Sequence, residues 1–178
     1  MLVLGNELLL PLPAEINYEM PTGACMTDNG EMLVADSASA RLVFTDSDMK
    51  VRRIESLNDA SPLSRIMQVT GDGSYFYVRG VKYERNTSVI QSEKILRYDA
   101  DGKNRTVLFE IESGRRNRFS SLYDCCVYEG KLYYVAEVPT DDIFSYHLAV
   151  YSVDISSETM HEPEPVFVST VPYAYTSR

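Results

Sequence analysis

The stretch of sequence that decides the fold is residues 21–46, which read PTGACMTDNGEMLVADSASARLVFTD. Two runs in it, residues 31–35 and 41–45, have the length and the Val, Leu and Phe content of β-strands. The dipeptide Asn29-Gly30 lies directly before the first run, and it favours a tight hairpin because glycine tolerates positive φ. The stretch therefore predicts consecutive strands joined by short turns.

The same plan recurs twice further along the chain. Asp72-Gly73 and Glu129-Gly130 supply the corresponding turns, and each is followed by an aromatic-rich strand and then by an apolar strand that ends in Asp. Repeats of roughly 40–50 residues made of short strands are typical of propeller blades and related arrays. We therefore predict a single domain or fragment over residues 1–178, built from repeats at about 21–57, 64–111 and 121–169.

Four strands are predicted in each repeat, and turn residues separate nearly all of them. The predicted strands are residues 24–27, 31–35, 41–45 and 51–56 in the first repeat, 66–70, 74–79, 94–98 and 106–111 in the second, and 123–128, 131–136, 147–154 and 165–169 in the third. A further strand with a turn is predicted over residues 8–18. Pro11 and Pro13 make it an edge strand, because proline cannot donate to a strand ladder.

Residues 21–46 resemble an NHL repeat, and the later repeats share only its strand-turn-strand outline. NHL repeats are blades of β-propellers, often six-bladed, so the resemblance implies an all-β fold of four-stranded antiparallel blades. It also implies that Asp36, at the end of the second strand, caps backbone amides. The second and third repeats have Arg79 and Ala136 at the corresponding position.

Three repeats are fewer than the roughly 4–8 blades of a propeller. We therefore expect a partial or half propeller, whose remaining blades come from missing sequence or from a second copy of the chain. The compartment is not predicted; one setting that fits is the sensor or scaffold region of a larger protein, such as its extracytoplasmic part. Residues 1–12 make a poor signal peptide because Glu7 interrupts them and no basic residue precedes them. No apolar run approaches the length of about 18 residues that predicts a transmembrane helix.

Composition narrows the classes of function. The net charge of −9 argues against general nucleic-acid binding, because an acidic surface repels a phosphate backbone. The odd number of cysteines, Cys25, Cys125 and Cys126, does not indicate a disulfide framework. We interpret them as small buried residues, with Cys125 and Cys126 on opposite faces of a strand.

Loop lengths locate the predicted binding site. In a propeller, the irregular stretches 80–93, 112–120 and 137–146 would open on one face, where loops on a rigid scaffold commonly carry function. The residues predicted to bind a ligand there are Tyr83, Arg85, Arg115, Arg116, Arg118, Asp141 and Asp142. The competing interpretation is a set of ordinary solvated loops.

The expected function is non-catalytic recognition of a protein, peptide or glycan. The alternative is a propeller-fold hydrolase or lyase acting on a glycan or peptide, and a structural spacer is a third possibility. No catalytic, cofactor or metal residue is predicted, because no established catalytic motif is present and His147 and His161 have no Cys near them in sequence. NHL-like lyases use several central His residues on zinc, and this chain has no matching set.

Overall fold

The computed structural model describes residues 2–4, 8–10, 12–13, 15–57, 61–117, 122–142, 144–156 and 162–174. These ranges contain strands and turns, which confirms the predicted all-β class. In the same ranges there is no helix with the length and apolar character needed to cross a membrane. The chain divides into two compact units, Met1–Arg118 and Phe119–Arg178.

The first unit contains a short hairpin and two four-stranded antiparallel sheets. In each sheet every strand pairs with the next one along the chain, so spatial order follows sequence order. The hairpin is β1 (Leu2–Leu4) and β2 (Leu8–Leu10); the first sheet is β3 (Pro21–Met26), β4 (Met32–Asp36), β5 (Arg41–Thr45) and β6 (Val51–Ser56); the second sheet is β7 (Arg65–Gly71), β8 (Tyr75–Tyr83), β9 (Ile90–Asp99) and β10 (Arg105–Asn117).

The second unit contains one sheet of the same plan, with an additional short strand. Its strands are β11 (Leu122–Tyr128), β12 (Lys131–Pro139), β13 (Ser145–Asp154), β14 (Glu164–Val168) and β15 (Tyr173–Ala174). The first four follow one another in the sheet, and β15 pairs with the first two residues of β13. We call this the third sheet.

All the strands predicted in the three repeats are confirmed, and two of them, 41–45 and 51–56, have the predicted bounds. The strand with a turn predicted over 8–18 is confirmed in outline: the strand covers Leu8–Leu10, and the Ile16 amide donates to the Pro13 carbonyl in a turn that follows. Pro13, which cannot donate to a strand ladder, lies in the part that forms no strand.

The predicted irregular stretches are wrong at their ends. Strand β8 continues to Tyr83 and β9 begins at Ile90, so residues 84–89 alone connect them. Strand β12 continues to Pro139 and β13 begins at Ser145. Strand β10 continues to Asn117, so most of the predicted loop 112–120 is strand. The longer strands shorten the connections between β8 and β9 and between β12 and β13.

The glycines of the tight turns have the predicted backbone conformation. Gly30, Gly73 and Gly130 have φ of 83°, 91° and 72°. Glu129 also has a positive φ of 48°, and the residues on either side of this pair, Tyr128 and Lys131, face each other across the ladder. Two consecutive residues with positive φ are what a two-residue hairpin loop between twisted strands requires.

The core of the first unit lies between its two sheets. Its members include Leu33, Leu42 and Phe44 from the first sheet and Phe76, Val78, Leu96 and Tyr98 from the second, all at most 1% exposed. The Phe44 ring lies 6.0 Å from that of Phe76 and 5.5 Å from that of Tyr98. Strand β7 lies beside β3 and β4. The first strands of the two sheets therefore approach each other.

Asp36 ends β4 and holds the preceding segment against it. Its carboxylate accepts hydrogen bonds from the backbone amides of Met20, at 2.7 Å, and Glu19, at 3.2 Å. The Arg41 guanidinium donates to the same carboxylate from Nε at 3.2 Å and from Nη2 at 3.0 Å. Burial raises the pKa of the Asp36 carboxyl, but these hydrogen bonds outweigh burial and lower it below its usual range. The predicted capping role is confirmed.

Gly80 lies inside β8 at a point of close approach. A Cβ atom at this position would meet the Arg65 carbonyl oxygen and would lie 2.9 Å from Cδ1 of Leu63. We therefore expect Gly80→Ala to lower the free energy of unfolding by about 1–3 kcal/mol through overpacking, measured by urea denaturation. Gly23→Ala is the control with a smaller expected loss, because its Cβ would lie 3.2 Å from the end of the Val69 side chain. An unchanged midpoint for Gly80→Ala would contradict the packing argument.

Candidate functional site

The connection between β8 and β9 borders a solvent-exposed cavity of about 450 Å³. Tyr83 and Arg85, two of the residues predicted to bind a ligand, lie in its wall. The complete lining consists of Ser64, Lys82, Tyr83, Glu84, Arg85, Asn86, Thr87 and Gln91. The cavity is thus built from one hairpin and the residue that precedes β7.

Local hydrogen bonds fix the shape of this hairpin loop. The backbone amide of Glu84 donates to the Val89 carbonyl at 2.9 Å, and the amide of Thr87 donates to the Glu84 carbonyl at 3.1 Å. The Thr87 hydroxyl donates to the Glu84 carbonyl and accepts from the Val89 amide. Asn86 has a φ of 59°, a conformation that Asn adopts more readily than most residues. The loop therefore presents its side chains from a defined backbone.

The wall of the cavity is tied to the segment before β7. The Lys82 ammonium donates to the Ser61 carbonyl at 2.6 Å, and the Tyr83 amide donates to the Ser64 hydroxyl at 3.1 Å. Arg85 is exposed at the tip. The lining therefore combines an aromatic ring with guanidinium, ammonium, amide, hydroxyl and carboxylate groups, a set that can hydrogen-bond to a polar ligand in several orientations.

Two arginines of the predicted cluster lie on a strand and not in a loop. Arg115 and Arg116 belong to β10, and Asn117 at the end of this strand pairs with Ile90 at the start of β9. Their backbone is therefore on the edge strand of the second sheet. Arg118 lies outside the described residues.

Asp141 and Asp142 lie in the second unit, in the connection between β12 and β13. Both are exposed. The Asp142 carboxylate accepts the Phe144 amide at 2.9 Å, and the Asp142 carbonyl accepts the Ser145 amide at 3.0 Å. Asp142 thus stabilises the turn, and the carboxylate of Asp141 adds charge at this end of the third sheet.

Sequence reasoning missed Ser64, Lys82, Asn86, Thr87 and Gln91 in the cavity wall. Lys82 and Gln91 lie on strands that were read as loop, so their place beside Tyr83 follows only from the strand register. The alternation of apolar and polar residues from Val81 to Tyr83 was the sequence signal that could have shown that the strand continues to Tyr83.

Histidine and serine approach each other in the second unit without an arrangement that would activate the serine. Nδ1 of His147 lies 3.4 Å from Oγ of Ser169. The same hydroxyl accepts the Leu148 amide at 3.1 Å and donates to the Val171 carbonyl at 3.2 Å, so it serves the backbone. His161 lies outside the described residues. Within the described ranges, no group of three or more His, Cys, Asp or Glu side chains is placed to hold a metal ion.

The predicted orientations of Cys125 and Cys126 are confirmed, but the predicted burial of the cysteines is only partly correct. Cys125 is 4% exposed and Cys126 is exposed, which confirms their opposite orientations. The predicted burial is confirmed for Cys125, whereas Cys25 is half-buried and Cys126 lies on an exposed face of β11. Burial raises the pKa of the Cys25 thiol, which keeps it in the less nucleophilic protonated form.

Comparison with known proteins gives no match to a protein-family model and none to a curated protein.

Proposed function

We propose that this chain is a non-catalytic recognition module of the β-propeller type. It binds a protein, peptide or glycan through the loops that join the second and third strands of its sheets. The observation that carries the proposal is the cavity of about 450 Å³ at the connection between β8 and β9. Its lining is polar apart from one aromatic ring, as expected of a surface that orients a ligand by hydrogen bonds.

The sheet topology supports the propeller-type architecture. Three consecutive four-stranded antiparallel sheets follow one another along the chain. In the first unit, the two sheets bury a shared core and their first strands run close to each other. Propellers are built from four-stranded sheets repeated radially, with short protected edges. The resemblance of residues 21–46 to an NHL repeat supports the same architecture.

The residue types at the cavity support recognition. Tyrosine and arginine are enriched among the residues that dominate binding energies. Tyr83 ends a strand of the scaffold and its amide is hydrogen-bonded to Ser64, so the position of its ring is supported from the sheet. Arg85 projects from the tip of the loop, where a guanidinium can pair with a carboxylate or with ligand hydroxyls.

The proposal can be tested with the whole 178-residue chain on arrays of immobilised oligosaccharides and of peptides. For a ligand found in this way, we expect the double variant Tyr83→Ala, Arg85→Ala to bind at least roughly 30-fold more weakly, because truncating a dominant contact residue costs about 2 kcal/mol or more. The thermal unfolding curve of the variant should stay close to that of the original chain, since both side chains lie at the loop.

Lys103→Ala is the matched control. Lys103 is 72% exposed and pairs with Asp101 in the hairpin that joins the third and fourth strands of the same sheet, at the sheet end away from the cavity. Its removal should leave binding unchanged. Full retention of binding by the double variant, or an array without a single ligand, would contradict the proposal.

A further inference from the structure

One end of the third sheet carries a cluster of tyrosines joined to a carboxylate. The Tyr123 hydroxyl donates to Oε1 of Glu137 at 2.5 Å. The rings of Tyr146 and Tyr173 stack at 5.9 Å between centroids, with 25° between their planes. We call Tyr123, Glu137, Tyr146 and Tyr173 the tyrosine cluster.

Strand pairing explains why these four residues meet. Tyr146 faces Pro139 on one side and Tyr173 on the other. Glu137 lies two residues before Pro139, so its side chain is on the same face of the sheet as Tyr146. A register shift in β11 falls at Tyr123. The hydrogen bond from Tyr123 to Glu137 and the stacking of Tyr146 on Tyr173 then hold the side chains in one arrangement before a ligand arrives.

The cluster is open to solvent. Tyr123 is 44% exposed and Tyr173 is 48% exposed, and Phe144, in the adjoining loop, is 67% exposed. Grouped exposed aromatic side chains commonly mark a surface that contacts a partner. The Tyr123 hydroxyl is hydrogen-bonded to Glu137 and the rings of Tyr146 and Tyr173 stack, so a partner would meet ring surface and carboxylate oxygen.

Charge is distributed unevenly along the chain and indicates the class of partner. Residues 119–178 contain nine Asp and Glu against two Lys and Arg, a net charge of −7, whereas residues 1–118 contain 17 against 15, a net charge of −2. Glu137, Asp141 and Asp142 all lie in or beside the connection that leads into Tyr146. Of the two basic residues, Lys131 lies at the opposite end of β12, and Arg178 lies outside the described residues.

From this combination, we infer that the tyrosine cluster binds a lysine or arginine side chain of a partner peptide. A cation is attracted to the face of an aromatic ring, and aromatic groups assembled around a cation are a recurrent recognition device. The Glu137 carboxylate adds a charge-assisted partner beside the rings, and the Asp141 and Asp142 carboxylates raise the local concentration of cationic segments. Acidic and phosphorylated segments would be repelled.

This inference rests on the proposed function in one respect. Both place recognition at the connection between the second and third strands of a sheet, and the inference adds the class of partner. It uses residues of the second unit only, and none of them lines the cavity beside Tyr83. Variants at the two places therefore separate the two proposals.

The test uses isothermal titration of the whole chain with an acetylated and amidated heptapeptide of alternating glycine and arginine, at 20 and 150 mM NaCl. We expect binding that Tyr173→Ala weakens about tenfold, because it removes a ring that a cation can contact. Tyr173→Phe keeps the ring and should bind nearly as the original chain does. Asp141→Asn should weaken binding severalfold, and more strongly at the lower salt concentration.

Tyr128→Ala is the matched control, because Tyr128 is 63% exposed and adjoins Glu129 at the opposite end of the same sheet. It should change the dissociation constant less than twofold. Three results would overturn the inference: no heat of binding at millimolar peptide, an equal loss in Tyr128→Ala and Tyr173→Ala, or stronger binding of a glutamate-containing heptapeptide. If the array ligand still depends on Tyr83 and Arg85 in that case, the proposed function stands without this inference.

Discussion

Asp36→Asn is expected to lower the free energy of unfolding by about 3–5 kcal/mol, the range found when one partner of a buried ion pair is removed. The Asp36 side chain is fully buried, and its two oxygens accept from two backbone amides and from Arg41. Asparagine would place an NH₂ group against donors and leave Arg41 without its counter-charge. Urea denaturation at pH 7 measures the difference.

The pH dependence of this difference follows from the lowered pKa of the Asp36 carboxyl. A carboxyl whose pKa is lower in the folded than in the unfolded state stabilises the fold above the unfolded value, about 3.9 for Asp. That stabilisation is lost as the pH falls from there through the folded pKa. We therefore expect the gap between the original chain and Asp36→Asn to be full at pH 6–7 and to shrink below about pH 4.

Asp101→Asn is the control, since it removes an aspartate from an exposed ion pair. Asp101 and Lys103 are 2.8 Å apart, but the Lys103 side chain is 72% exposed. Exposed pairs contribute about 0–1 kcal/mol. Equal losses in the two variants would contradict the role assigned to burial at Asp36.

Phe44→Ala is expected to destabilise the first unit by about 3–5 kcal/mol, as is usual for truncation of a buried phenylalanine. Phe44 is 1% exposed and contacts rings from the facing sheet. A Cβ atom added at Gly102 would lie 2.6–2.8 Å from three ring carbons of Phe44, so the backbone at Gly102 packs directly against this ring. The Arg53 guanidinium lies 5.5 Å from the ring centroid. Thermal and urea denaturation both report the loss.

Phe144→Ala provides the comparison, because this phenylalanine is 67% exposed in a loop of the second unit. Its truncation should change the free energy of unfolding by no more than about 0.5 kcal/mol. A loss of stability in Phe144→Ala as large as in Phe44→Ala would mean that the core between the first and second sheets is not the main source of stability.

Local sequence signals were sufficient to locate the twelve strands of the three repeats, but not the short strands β1 and β15. Alternating or continuous apolar runs bounded by Asn-Gly, Asp-Gly and Glu-Gly turns restrict the chain to short antiparallel strands. These signals act within a few residues, so they also placed Cys125 and Cys126 on opposite faces. They carry no information on which sheets lie against each other.

Strand ends were harder to predict because glycine occurs both at the start of loops and inside buried strands where there is no space for a side chain. Gly80 resembles the start of a loop, yet it is buried within β8, where the approach of Leu63 and Arg65 leaves no space for a side chain. Ser92 and Glu93 are polar and resemble loop residues, yet they are 3% and 4% exposed within β9. Only the packing of neighbouring segments distinguishes these cases.

The hydrogen-bond and stacking partners of individual side chains depend on contacts between residues far apart in sequence. Asp36 was correctly given a capping role, but the amides that it caps lie 16 and 17 residues earlier in the chain. Tyr146 and Tyr173 meet because β15 returns to β13 beyond the end of β14. Nothing local to either residue specifies that return, so Tyr173 could not be predicted as a neighbour of Tyr146.

The first and second sheets are joined by polar contacts at several points along their shared boundary. The Asp28 amide donates to the Gly73 carbonyl, and the Ser37 hydroxyl donates to the Ile66 carbonyl. Glu55 accepts from Tyr98 and from Arg105 across the same boundary. In a chain of repeats, each such contact is a nearest-neighbour coupling term. The fluctuations that open one sheet must therefore break the boundary with the other, and the two sheets open as a single cooperative unit.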